Sequence, residues 1–134
     1  MFMIYLKRFN EGINQGTIDH LRIFCEESLA YLADANFYVI VVPKEKDGKI
    51  VIALGNKKYG GYSWNDIKYD YIPFLELLKS KYDVLDKVII MYSIIDEGFK
   101  VDFTYDQLLN EDDKLYKLNF VEISIYVNLL GLSF

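Results

Sequence analysis

The sequence predicts a single α+β domain: an antiparallel sheet of five to six strands with two main helices on one face. Three observations carry this. Two stretches alternate or run apolar on either side of a turn signal and read as hairpins. Two other stretches repeat their apolar residues at helical spacing. The chain of 134 residues, 52% of them hydrophobic, fits one domain and can fill a core without staples.

In chain order, Met1 to Arg8 mixes β-branched and aromatic residues and reads as a strand. Asn10 to Gly16 is a loop. Thr17 is placed to cap a helix, with Asp19 in the first turn where the helix dipole favours an acid. Ile18, Leu21, Cys25, Leu29 and Leu32 then define the buried face of a helix over 18–32. Asp34, Ala35 and Asn36 end it. Phe37 to Val42 is a nearly unbroken apolar run and reads as a buried strand closed by Pro43. Asp47-Gly48 signals a tight turn, and Ile50 to Leu54 returns. Gly55 to Tyr62 is a glycine-rich loop, and Ser63 opens a short helical turn over 64–68. Pro73 suits the first turn of a second helix, over 73–81. Val88 to Ile95 and Phe99 to Tyr105 form a second hairpin around Asp96-Glu97-Gly98. Asp106 to Asp113 is an acidic loop or a single helical turn. From Val121 the residues fit a strand by alternation and a helix by the spacing of Leu118, Val121, Ile125, Leu129 and Leu132, with β-branching favouring the strand. The order is therefore β-α-β-β-α-β-β-(β or α), without repeats, linkers or low-complexity segments.

Composition narrows function. A net charge of -5 opposes binding to nucleic acid or to anionic membrane surfaces and suits a basic protein partner. One cysteine excludes an internal disulfide, and the apolar start is too short for a signal peptide or a membrane span, so the chain reads as cytoplasmic. Catalytic and metal-binding patterns are not legible, and no cofactor is implied. His20 is the single histidine, so no His-based metal site can form, and it lies about 140° around its helix from Cys25. His20 is expected on the surface and Cys25 in the core. The pairs Glu26-Glu27, Asp96-Glu97 and Asp112-Asp113 fall in solvated turns or on a helix surface. Lys57-Lys58 before Gly60-Gly61 lacks the spacing of a phosphate loop.

Two features stand out. Between Asp96 and Asp113 lie seven acids (Asp96, Glu97, Asp102, Asp106, Glu111, Asp112, Asp113) against one base, Lys100, which leaves the rest of the chain close to neutral. They are either solvated turn and helix-start charges or one patch that docks on a basic surface. Tyr59, Tyr62 and Trp64 surround the glycines of the loop. They either pack as a lid on the sheet or face a partner.

The run from Lys87 to Leu109, with Gly98, Phe99, Lys100, Asp102, Phe103, Tyr105 and Asp106 in the form F-K-x-D-F-x-Y-D after a glycine, resembles the late hairpin of the YezG-like immunity proteins of bacterial polymorphic toxin systems. The ending Tyr126 to Leu132 is similar to a family tail in which an aromatic precedes a Leu-Gly pair. The resemblance covers about a third of the chain. It implies an acidic α+β protein, not an enzyme, that binds and blocks a toxin domain, often a basic nuclease, with Glu97, Asp102, Tyr105 and Asp106 as leading contacts. Two alternatives stay open: an inhibitor of another defence protein, from phage or host, and a small-molecule binder or enzyme with a pocket under the Gly55 to Trp64 loop. The oligomeric state is not legible.

Overall fold

The computed structural model describes residues 15–44, 48–56, 61–94 and 97–128. The strand expected over Met1 to Arg8 lies outside them. Helix α1 (Gln15–Ser28) is followed by the short α2 (Ala30–Asp34), strands β1 (Phe37–Lys44) and β2 (Lys49–Asn56), the long helix α3 (Trp64–Lys81), β3 (Asp83–Ile94), β4 (Glu97–Phe103), the short α4 (Tyr105–Leu109), a 3-10 helix (Asp113–Lys117) and β5 (Phe120–Asn128). The five strands form one antiparallel sheet in the order β1-β2-β5-β3-β4. The α+β class and the antiparallel sheet are as the sequence predicts, and the ambiguous C-terminal segment is a strand.

That strand occupies the centre of the sheet, between β2 and β3. Ile123, Ile125 and Val127 are buried and stand opposite Leu54, Ile52 and Ile50 of β2. A central strand with one face against helices favours β-branched residues at alternate positions. Val121 is the extra residue of a bulge where the β3–β5 register shifts between Met91 and Tyr92.

The helices differ from expectation in three places. The first begins two residues before Thr17, which is buried inside α1 rather than capping it. It also bends at Leu29, although the ladder continues through Leu29 N–H to Cys25 and Ala33 N–H to Leu29. Asn36 then closes it in the left-handed region at φ 70°, which asparagine tolerates. The second difference is larger. The expected turn at 64–68 and the helix at 73–81 are one helix, α3, with Pro73 inside it. Proline removes one ladder hydrogen bond, yet Trp64, Ile67, Tyr71, Phe74, Leu75 and Leu78 form one buried stripe through it. Asp66 reaches back to the Ser63 N–H at 2.9 Å and secures the start. Third, Tyr105 does not continue β4. Thr104 caps α4 instead, accepting from Gln107 N–H at 3.2 Å while Gln107 Oε1 accepts from Thr104 N–H at 2.8 Å.

Pro43 sits within β1, which tolerates it because β1 pairs with a neighbour only on its β2 side among the described residues. Gly48, at φ 65°, supplies the left-handed residue that leads into β2.

Candidate functional site

The acidic segment divides into carboxylates that the fold uses and carboxylates that it leaves in solvent. Asp96 and Tyr59 lie outside the described residues. Glu97 opens β4, and its side chain is likewise not described. Asp102, Asp106 and Asp113 are exposed. Glu111 is not available in the same way. Its carboxylate lies 3.1 Å from Lys68 Nζ and accepts the Tyr116 hydroxyl at 2.6 Å, while Lys68 donates to that hydroxyl at 3.1 Å. The Tyr116 hydroxyl and the Lys68 ammonium hold the Glu111 carboxyl below the usual carboxylate range. Trp64 Nε1–H, buried without a full hydrogen bond, adds to the same lowering. The Tyr116 and Glu111 contacts push Lys68 up. This triad fastens the segment after α4 onto α3. Asp112 is also engaged: it accepts Lys114 N–H at 2.9 Å and starts the 3-10 helix.

The aromatic candidates belong to the core. Trp64 is wholly buried, and Tyr62 and Tyr105 are nearly so. Tyr62 donates its hydroxyl to the Leu54 carbonyl at 2.8 Å, and its ring meets Phe37 edge-on at 4.9 Å and Phe120 at 5.5 Å. Trp64 stacks on Phe120 at 6.2 Å and meets the Tyr71 ring edge-on. Of the two readings for these rings, Tyr62 and Trp64 follow packing on the sheet, and they offer no side chain to a partner. The physical reason is size: each ring removes a large apolar area from water. Tyr105 is buried by the helix start. Asp86 accepts its N–H at 2.7 Å, and Lys79 Nζ lies 4.4 Å from its ring centroid. Tyr105 is therefore a core residue at the start of α4 and offers no side chain to solvent.

Cys25 is fully buried, as expected, and burial pushes its thiol up to about 12. It is not a nucleophile at neutral pH. His20 is exposed. The hydroxyls of Tyr71 and Tyr105 are buried without a hydrogen-bond partner. Desolvation raises both tyrosines, Tyr71 also through Cys25 and Tyr105 also through Glu76 and Asp106.

Two further surfaces are formed by tertiary structure alone. A cleft of about 320 Å³ is lined by Ala35, Phe37, Asn56, Gly61, Tyr62 and Asp66, at the edge of the glycine-rich loop. Its Tyr62 hydroxyl and Asp66 carboxylate are both committed to the protein's own backbone. The second is the face of the sheet turned away from the core. Register places Tyr38, Gly55, Glu122, Met91 and Lys100 in one row across the five strands, and Ile40, Ala53, Ser124, Ile89 and Asp102 in the next. Glu122 was not among the candidates read from the sequence. The alternation in β5 carried the signal, since Glu122, Ser124, Tyr126 and Asn128 share one face, but an apolar strand of unknown position does not reveal that this face sits at the centre of a sheet.

Among the described residues, no group of three or more His, Cys, Asp or Glu is placed to hold a metal ion. No helix among them is long and apolar enough to cross a membrane. Comparison with known proteins finds no matching family model, no similar curated protein and no similar solved structure.

Proposed function

We propose that the protein acts by binding, as an immunity-type inhibitor that neutralises a basic toxin domain through carboxylates in and beside the β3–β4 hairpin. The observation that carries this reading is the set of acids left uncompensated. Asp102 on β4, Asp106 in the first turn of α4 and Asp113 in the first turn of the 3-10 helix are exposed, and none closes an ion pair with a described residue. They follow one another along β4, α4 and the 3-10 helix, the stretch that resembles the hairpin of the YezG-like immunity proteins and its continuation. An exposed acidic surface steers a basic partner into encounter and mimics the phosphate field that a nuclease recognises. With Tyr62, Trp64 and Tyr105 in the core, the anchor area falls to other residues.

The test is association kinetics with basic toxin domains. Wild-type association slows steeply as ionic strength rises past about 0.15 M, where the screening length is about 8 Å. Asp102→Lys with Asp106→Lys lowers the association rate about tenfold or more. Association rates that ignore salt and survive both charge reversals refute the reading.

The cleft beside Asn56 supports a second reading, a small-molecule binder, because its volume lies at the lower end of ligand sites. A ligand-dependent rise in melting temperature, lost when Ala35→Leu crowds the cleft, is the outcome that favours it.

A further inference from the structure

The outward face of the sheet has a composition that the acidic hairpin lacks. Its middle is built from small residues. Gly55, Ala53 and Ser124 are neighbours on β2 and β5, and all three are buried. A Cβ at Gly55 would collide with the Tyr38 ring, which lies over that glycine from the adjacent strand. Around this floor stand Ile40 and Val42 from β1, Val51 from β2, Tyr126 from β5 and Ile89 and Met91 from β3. Ile40 and Val42 are 43% and 47% exposed, high for large β-branched side chains on a sheet.

One charge stands at the end of this apolar patch, in the row of Tyr38, Gly55 and Met91. Glu122 lies on the central strand between Gly55 and Met91. It is half-buried, its hydrogen-bond partner is the Ser124 hydroxyl at 3.2 Å, and no lysine or arginine among the described residues pairs with it. Lys100 in the same row is two strands away, beyond Met91. A half-buried carboxylate on a central strand, at the end of an apolar patch, is a poor choice for solubility, which edge and loop acids already supply. It sets an uncompensated charge at the border of an apolar surface, which a basic partner with apolar flanks complements.

We infer that this outward sheet face is a docking surface for a protein partner that presents one arginine between apolar residues, the arginine pairing with Glu122 and its neighbours packing on Tyr38, Ile40 and Met91. The inference rests on the reading that the partner is basic, and it places the anchor on the sheet rather than on the hairpin. Charge complementarity selects the occupant. The guanidinium is planar, weakly hydrated and bidentate toward a carboxylate, so it tolerates a water-poor site better than an ammonium does. The outer acids, Asp102 among them at the margin of the same face, then steer approach, while Glu122 fixes register.

The experiment uses the whole ¹⁵N-labelled protein and two peptides, acetyl-Val-Arg-Val-amide and the same peptide with neutral citrulline. The arginine peptide shifts amide signals of residues 38–40, 53–55 and 122–126, and binds about tenfold more tightly than the citrulline peptide. Glu122→Gln, isosteric and on an outward face, removes that tenfold difference with the spectrum otherwise retained. Ile40→Ser weakens both peptides, and Asp106→Asn changes neither. Equal binding of the two peptides overturns the inference, because the face is then merely apolar. Shifts confined to the neighbourhood of Asp106 and Asp113 also overturn it and leave the acidic-hairpin reading standing. A concentration-dependent dimer that protects Ile40 and Val42 assigns the face to a second copy and overturns it as well. No response anywhere in the protein counts against both readings.

Discussion

Trp64 decides whether the aromatic cluster beside the glycine-rich loop is core or contact surface. It is the single tryptophan in the sequence and is 0% exposed, stacked on Phe120 and set edge-on to Tyr71. Trp64→Ala removes a ring from the first turn of α3, where the buried stripe that carries the helix past Pro73 begins. Truncating a buried Trp or Phe to Ala costs about 3–5 kcal/mol, a large part of the roughly 5–15 kcal/mol that holds a typical domain folded. With a urea dependence of about 1–3 kcal/mol per molar, the midpoint falls by at least about 1 M, or the variant is unfolded outright. Trp64→Phe keeps most of the ring and removes an indole N–H that has no full hydrogen-bond partner, so it costs less than the alanine variant. The same residue provides the assay. Native fluorescence is blue-shifted and poorly quenched by acrylamide, and both properties collapse at the urea midpoint. Tryptophan emission characteristic of solvent, or an unchanged midpoint in Trp64→Ala, refutes the core assignment and returns Trp64 to the list of partner contacts.

Two buried tyrosines make a matched pair. Tyr62→Phe loses the hydroxyl bond to the Leu54 carbonyl and destabilises by about 1 kcal/mol, whereas Tyr71→Phe removes a buried hydroxyl without a partner and is neutral or stabilising by up to about 1 kcal/mol; equal losses in urea unfolding refute the contrast. The Glu111 carboxyl is lowered in the folded protein, so its contribution is present above its ordinary value of 4.5 and is lost as pH falls through the lowered folded value. Glu111→Gln therefore loses stability less steeply than wild type below about pH 4.5, and parallel acid-unfolding curves contradict the role of the Lys68 and Tyr116 contacts. Lys68 carries the opposite sign: raised in the fold, its contribution is complete below its ordinary value of 10.5 and is lost only as pH rises through the raised value. Cys25, buried and pushed up to about 12, is silent to a thiol reagent at about pH 8 in the native protein and reacts once in urea; prompt native reaction contradicts its burial.

The sequence by itself determined the elements that local physics controls. An apolar run with the Asp47-Gly48 turn signal placed the first hairpin, alternation after Asp96-Glu97-Gly98 placed the second, and alternation with β-branching favoured a strand for the C-terminal segment, because β-branched residues crowd a helix and pack well on a pleated surface. Period 3.6 placed the buried face that runs through α1, Leu29 and α2, and Ile18, Leu21, Cys25, Leu29 and Leu32 are all in the core. Proline misled where a local rule was outweighed: six buried side chains along α3 keep it continuous through Pro73, and that gain exists only when the sheet is present. Tyr105 misled for the opposite reason, since the alternation of β4 runs into it while the Thr104–Gln107 capping box, legible in the sequence, ends the strand at Phe103, two residues earlier. The acidic run was visible as a count of charges, but only the tertiary structure separated Glu111, paired with a lysine 43 positions earlier on α3, and Asp112, engaged at a helix start, from the exposed Asp102, Asp106 and Asp113. Likewise, insertion of β5 between β2 and β3 put Glu122 on the central strand of the outward face. Strand order is a long-range choice made by burial of the whole sheet against its helices, and no local periodicity encodes which strands become neighbours.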